Sequence, residues 1–294
     1  MVAVSDVSDD WSVGDLDLAA YLRRIDYPGP TGPSEATLTA LYRAHLAAIR
    51  FENLDVLLHG RVSVALGDIQ DKIVFRGRGG YCYEHAQLFG AVLERLGFRV
   101  ERLLARVGPD GAQARPRTHL TLRVSADGGA WLADPGFGSS PPAPLSLRGH
   151  RSGEPQQVDG WVYDIAQDSG HGARLREYQA GEWVTLHRWD YATVQPVDVV
   201  MSNYYTSTHP DSWFTWQPVI VRRDPDAIRS ILGRGYTVNR PGKEKERREL
   251  TDAEFAEALT GEFGLTLSGE ELTAIVAAPT GHDRKPAAGV APGT

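Results

Sequence analysis

The sequence predicts an α+β chain built in three consecutive parts. Apolar residues recur at helical spacing through roughly the first hundred positions. From Phe98 to about Tyr205, alternation with period two takes over, interrupted by glycine-rich turns. The remainder mixes a short apolar strand with two helix-capping signals.

In the first part, Pro33-Ser34 is a helix start with Ser34 as N-cap, and Leu38, Leu41, Tyr42 and Ile49 follow at helical spacing. A second helix starts at Cys82, where the run Gly77-Arg78-Gly79-Gly80 ends. Its apolar stripe is Cys82, Ala86, Phe89, Leu93 and Leu96, and Gly97 supplies a C′ stop. Residues 1–98 are therefore expected to form a helical bundle.

In the second part, Leu120, Leu122 and Val124 alternate with His119, Thr121 and Arg123, the pattern of a half-buried strand. Ala126-Asp127-Gly128-Gly129 reads as a hairpin turn and Trp131–Asp134 as the returning strand. Further strands are expected at residues 160–165, 174–179 and 182–190. Together, residues 99–210 predict a small antiparallel barrel or sandwich.

In the third part, Val219-Ile220-Val221 suggests a strand, and Thr251…Glu254 and Ser268…Glu271 fit capping boxes that open helices. Residues 211–278 are thus expected to be mixed α/β. The stretch 279–294 is rich in Pro, Gly and Ala and is expected to be disordered.

Composition narrows the function. With 41% apolar and 23% charged residues, the 294-residue chain has the make-up of a globular protein with a sizeable core. A net charge of −7 argues against nucleic acid as the main partner. The lone cysteine cannot form an internal disulfide, the N-terminus is acidic without a signal pattern, and no apolar run is long enough to span a membrane. A cytoplasmic protein without membrane contact is the expectation, with oligomeric state left open.

That one cysteine, Cys82, lies at the first turn of a helix, where free N–H groups and the helix dipole favour a thiolate. The alternative is a small buried hydrophobe. A nucleophile here would face an interior cleft and would need a base and an orienting group. Hairpin parity selects candidates from nine histidines. A turn centred on Asp127-Gly128 pairs Asp134 with Thr121, and one centred on Gly128-Gly129 pairs it with Arg123. Both put Asp134 on the face that carries His119. An odd-numbered loop would separate them. His85, one helical turn after Cys82, is the rival base, but no carboxylate is visibly placed to orient it. Zinc spacing is absent, so no metal is expected, and no Gly-Lys-Ser/Thr follows the glycines to make a phosphate loop.

Four segments, in order, resemble the arylamine N-acetyltransferases. They are Arg50-Phe51-Glu52-Asn53-Leu54; Arg78-Gly79-Gly80-Tyr81-Cys82-Tyr83-Glu84-His85; Thr118-His119 with Leu132-Ala133-Asp134-Pro135-Gly136-Phe137-Gly138; and Asn203–Phe214. The resemblance covers roughly residues 15–275. It implies a three-domain, cysteine-protease-like fold with helical bundle, β-barrel and α/β lid. It also implies a Cys82–His119–Asp134 triad and ping-pong acetyl transfer from acetyl-coenzyme A to an arylamine, arylhydrazine or arylhydroxylamine, within xenobiotic metabolism. By the same resemblance Phe51, Phe137 and Tyr81 would line the acceptor pocket, Gly136, Gly138 and Thr208 would contact coenzyme A, and Glu52 with Arg78 would be a structural pair. Two departures stand out: Ala86 where the family commonly has Asn, and Pro135 where it usually has Val.

Three other functions fit parts of this pattern. An amide synthase closing macrolactams in polyketide biosynthesis shares the fold and triad but takes its acyl group from a carrier protein. A cysteine hydrolase or transglutaminase-like enzyme would pass the acyl group to water or lysine. A non-catalytic coenzyme A-binding protein would form no covalent intermediate.

Overall fold

A computed structural model describes residues 11–108, 115–147, 154–168 and 172–279. The N-terminal residues 1–10 and the tail beyond Pro279 lie outside the described residues.

The N-terminal part is helical: α1 (Leu18–Arg24), α2 (Glu35–Ala48), α3 (Leu54–His59), α4 (Leu66–Gln70) and α5 (Cys82–Arg95). Ser34 caps α2 by accepting the Thr37 N–H at 3.1 Å. Helix α5 is buried on all sides from Cys82 to Val92, more than its expected stripe. It is the central rod of the molecule, packed between the bundle and the first strands. Gly97 follows it at φ 86°, the left-handed stop the sequence predicts.

Eight antiparallel strands follow: β2 (Arg99–Val107), β3 (His119–Ala126), β4 (Gly129–Ala133), β5 (Leu145–Ser146), β6 (Gln156–Val158), β7 (Trp161–Asp168), β8 (Gly172–Gln179) and β9 (Glu182–Asp190). Their order is β5-β4-β3-β2-β9-β8-β7-β6, and the sheet curls into a nearly closed barrel. The side chain of Gln156 bridges the free edges. Gln156 Oε1 accepts the Ser146 N–H at 2.8 Å, and Gln156 Nε2 donates to the Ser146 carbonyl at 3.1 Å. The β3–β4 turn is the two-residue form centred on Asp127-Gly128, both with positive φ (47° and 66°), and Leu122 pairs with Ala133.

Two features differ from the sequence expectation. Residues up to about 205 are expected to be strands and turns, yet Pro196–Thr208 forms helix α6. Its signals are local: Pro196 occupies the first helical position, and the Asp198 carboxylate accepts the Gln195 N–H at 2.8 Å. Within the helical part, Phe51–Glu52 forms a strand, β1, that joins a distant sheet.

That second sheet has the order β1-β10-β11-β12-β13, with β10 (Val219–Arg223), β11 (Ile228–Leu232), β12 (Gly235–Asn239) and β13 (Glu246–Glu249). Helices α7 (Asp252–Glu257) and α8 (Gly269–Val276) open at the capping boxes of Thr251 and Ser268. A separate core, including Leu54, Ile220, Ile231, Phe255, Leu259 and Phe263, lies with this sheet. Among the described residues, no helix is long and apolar enough to cross a membrane.

Candidate active site

The Cys82 side chain is fixed by the start of α5. The carboxylate of Glu84 accepts the Tyr81 N–H at 3.0 Å, tying the turn before the cysteine to the first helical turn. Cys82 is 4% exposed, and its Sγ lies 3.7 Å from the carbonyl oxygen of Thr118, the residue before His119.

The hairpin brings the next two groups together. The two-residue turn carries Asp134 past the end of β4 onto the face of His119, whose Nε2 lies 2.9 and 3.0 Å from the two Asp134 carboxylate oxygens. Cys82 lies close enough to His119 for its sulfur to raise the pKa of the imidazole, and with Nε2 engaged by Asp134, Nδ1 is the nitrogen free to face it. Cys82, His119 and Asp134 are thus brought together from α5, β3 and the end of β4.

Electrostatics polarise this group. Burial alone would lower the His119 pKa, but the adjacent Asp134 carboxylate, its hydrogen bonds and the Cys82 sulfur push it up to about 10. Burial acts on Asp134 in the opposite sense to the two imidazoles beside it, and His119 and then His187 hold its carboxyl well below the usual range. The second imidazole, His187 on β9, places Nε2 2.8 Å from Asp134 Oδ2. His119, Asp134 and His187 are the group of donors that lie close enough to share a metal ion among the described residues. The atoms facing one another are already used in their mutual hydrogen bonds.

His85 has no nitrogen left for the cysteine. Its Nε2 faces the carbonyls of Arg50 (3.2 Å) and Gly80 (3.1 Å), so that nitrogen carries the proton. Its Nδ1 then accepts from His45 Nε2 at 2.8 Å, and His45 Nδ1 accepts from the Tyr21 hydroxyl at 2.8 Å. Every group in this buried run is satisfied. Burial pushes the His85 pKa down to about 4, so both of its contacts are those of a neutral ring.

Cys82 and His119 open onto a cavity of about 800 Å³ between the barrel and the second sheet. Phe51, Phe137, Trp213, Phe214 and Trp216 give it aromatic walls, and Lys245, Arg247 and Arg248 lie along the wall contributed by β13 and the turn before it. Gly136 and Gly138 line it as well. Tyr81 does not: its ring packs on Tyr83 and Phe214, and its hydroxyl bonds Asn203. Thr208 is also absent from the wall. It is exposed at the end of α6, and its hydroxyl donates to the Tyr204 carbonyl at 2.5 Å. Glu52 and Arg78 form the expected pair. Arg78 Nη2 is 3.0 Å from both Glu52 Oε1 and Asp55 Oδ1, and Nη1 is 3.4 Å from Glu271 on α8. Ala86 is fully buried inside α5, one turn beyond the nucleophile position.

Sequence reasoning did not single out His187 or the aromatic run 213–216 as site residues. The run carried a signal in its Trp-Phe-Thr-Trp composition between a helix and a strand. His187 carried none, because its face is decided by the pairing of β9 with β2.

The chain is similar to known proteins over most of its length. A family model for N-acetyltransferases matches residues 35–272. An arylamine N-acetyltransferase of Mycobacterium bovis is 36% identical over 261 residues, covering 86% of this chain and 90% of that protein. The crystal structure of the Nocardia farcinica arylamine N-acetyltransferase superposes with a TM-score of 0.86 at 35% identity, covering 91% of this chain and 96% of that one. The Mycobacterium marinum arylamine N-acetyltransferase in complex with CoA gives a TM-score of 0.82 at 36% identity, covering 90% and 100%. The chain belongs to the arylamine N-acetyltransferase family, whose members are acyltransferases.

Proposed function

We propose that this member of the family transfers an acetyl group from acetyl-coenzyme A to the nitrogen of an arylamine, arylhydrazine or arylhydroxylamine through an acetyl-Cys82 intermediate. The observation that carries the reading is the hydrogen-bonded His119–Asp134 pair beside Cys82, opening on an aromatic-walled cavity.

In the first half-reaction the Cys82 proton resides on His119, and the thiolate attacks the thioester carbonyl carbon. A new S–C bond forms, and the coenzyme A sulfur leaves with the proton from His119. Acylation removes the sulfur charge that helps hold that proton in place. His119 is thereby left as a neutral base. In the second half-reaction an arylamine nitrogen attacks the acetyl carbonyl while His119 takes a proton from it, and Cys82 departs as thiolate. Arylamines are weakly basic and arrive unprotonated at neutral pH. Asp134 keeps the His119 ring oriented through both steps.

Phe51, Phe137 and Phe214 supply the flat apolar surface an aromatic acceptor needs. Gly136 and Gly138 bring backbone close to the thioester. The roles earlier implied for Tyr81 and Thr208 receive no support from their positions away from the cavity wall.

Intact mass after mixing with acetyl-coenzyme A tests the proposal. The expected result is a single acetyl adduct, discharged by an arylamine and absent in Cys82→Ala. A folded Cys82→Ala protein that still acetylates an arylamine would overturn it.

A further inference from the structure

Two imidazoles, not one, contact the Asp134 carboxylate. His119 Nε2 lies 2.9 and 3.0 Å from its two oxygens, and His187 Nε2 lies 2.8 Å from Oδ2. The rings are neighbours, with centroids 4.8 Å apart, and both are buried. We propose that His187 is a positioning residue of the acyl-transfer reaction, donating Nε2–H to Asp134 Oδ2 and so locking the carboxylate that aims His119 at Cys82. This inference rests on the acyl-transfer reading above.

The two rings are assigned different protonation states by their surroundings. An ionised carboxylate offers only acceptors, so both facing Nε2 atoms must donate. His119 faces the cysteine sulfur as well as Asp134, both of which raise its pKa, and a doubly protonated ring suits both neighbours. His187 has no such second neighbour: its Nδ1 is buried without a hydrogen-bond partner. A bare lone pair there costs less than an unpaired buried N–H, so His187 is the neutral Nε2–H tautomer. Burial lowers its pKa, in agreement. The titratable groups facing it are Asp134 and His119. Its other ring neighbours are Phe137 at 5.0 Å and Trp189 at 5.5 Å, and its cross-strand partners on β2 and β8 are Val107 and Leu175. The apolar cage leaves the ring one polar direction, toward Asp134.

A second purpose follows from the free rotation of a carboxylate. The Tyr42 hydroxyl donates to the main-chain carbonyl of Asp134 at 2.9 Å, which holds the backbone but not the side chain. Each proton transfer at His119 Nδ1 changes the charge of the ring and with it the strength of its hold on Asp134. His187 supplies an anchor that takes no part in proton transfer.

The test compares His187→Gln, which keeps an N–H at similar reach, with His187→Phe, which keeps the ring bulk and loses the donor. Steady-state acetyl transfer and thermal melting are measured on both, with Cys82→Ala alongside. The expected result is a kcat lowered about tenfold or more in His187→Phe, the scale of one lost charge-assisted hydrogen bond, with KM for both substrates within about twofold and substantial recovery in His187→Gln. Nitrogen-15 NMR of the histidine-labelled wild-type protein is expected to show His187 with a single proton, on Nε2, at neutral pH. Equal kcat in wild type and His187→Phe, or an imidazolium at His187, would overturn the inference while leaving Cys82-dependent transfer intact. Transfer that survives Cys82→Ala would instead overturn the reading beneath it. If His187→Phe does not fold, the Gln variant and the spectrum decide the matter.

Discussion

Gly136 lies so close to Cys82 that a Cβ at that position would sit 2.8 Å from the Cys82 Cα and 2.9 Å from its carbonyl oxygen. The clash is with backbone at the first turn of α5, which cannot step aside as a side chain could. Gly136→Ala is therefore expected to push the Asp134–Gly138 loop away from the cysteine, at a cost of about 1–3 kcal/mol. The measurement is urea denaturation together with acetyl-enzyme formation. Acylation at the wild-type rate would show that the loop tolerates the methyl group.

The two candidate bases separate cleanly by variant. His119→Ala is expected to lower acetyl transfer by on the order of a thousandfold or more while the fold persists. His85→Ala should instead act on stability, by about 2–4 kcal/mol, because it opens a cavity and removes one hydrogen-bond partner from His45 and from each of two carbonyls. Single-turnover rates beside denaturation curves distinguish the outcomes. A mild His119→Ala with an inactive, stable His85→Ala would reverse the assignment.

The His119–Asp134 pair also makes stability depend on pH at both ends. The His119 pKa is raised to about 10, so its contribution is complete below the unfolded imidazole value of about 6.5 and fades as pH climbs toward 10. The Asp134 pKa is lowered, so its contribution is present above the unfolded carboxyl value of about 3.9 and is lost as pH falls further. The stability gap between wild type and Asp134→Asn should accordingly be widest between about pH 4 and 6.5. Denaturation of both proteins from acid to alkaline pH tests this, and a gap that widens above pH 7 would contradict it.

Gln156 bridges the barrel seam. Gln156→Ala removes both hydrogen bonds to the Ser146 backbone and should destabilise the protein by about 1–3 kcal/mol. Amide exchange at Ser146 is expected to accelerate selectively, leaving β2 and β9 protected. Unchanged exchange there would mean that the seam is held by other contacts.

Local chemistry made part of this molecule readable in advance. The Ala126–Gly129 run signalled a hairpin, both even-numbered readings of it put Asp134 on the face of His119, and the structure takes the one centred on Asp127-Gly128. Thr251 and Ser268 announced their helices because capping is decided within four residues. Long-range pairing was not readable. Strand β9 comes beside His119 and Asp134 by pairing with β2, so the placement of His187 depends on contacts some eighty residues away in the chain. Strand β1 is two residues long and acquires its identity from β10, so periodicity could not reveal it. Tyr81 stands beside the nucleophile in sequence, yet its extended N-cap backbone turns the ring into the interior, toward Tyr83 and Phe214.

That short strand has a mechanical result. Phe51 pairs with Val221, and the Glu52 N–H bonds the Gly80 carbonyl at 2.8 Å, two residues before the cysteine. The roof of the crevice and the floor beneath the sulfur are thus stitched by main chain into one piece. A roof swinging open on this side would drag the nucleophile out of register with its imidazole.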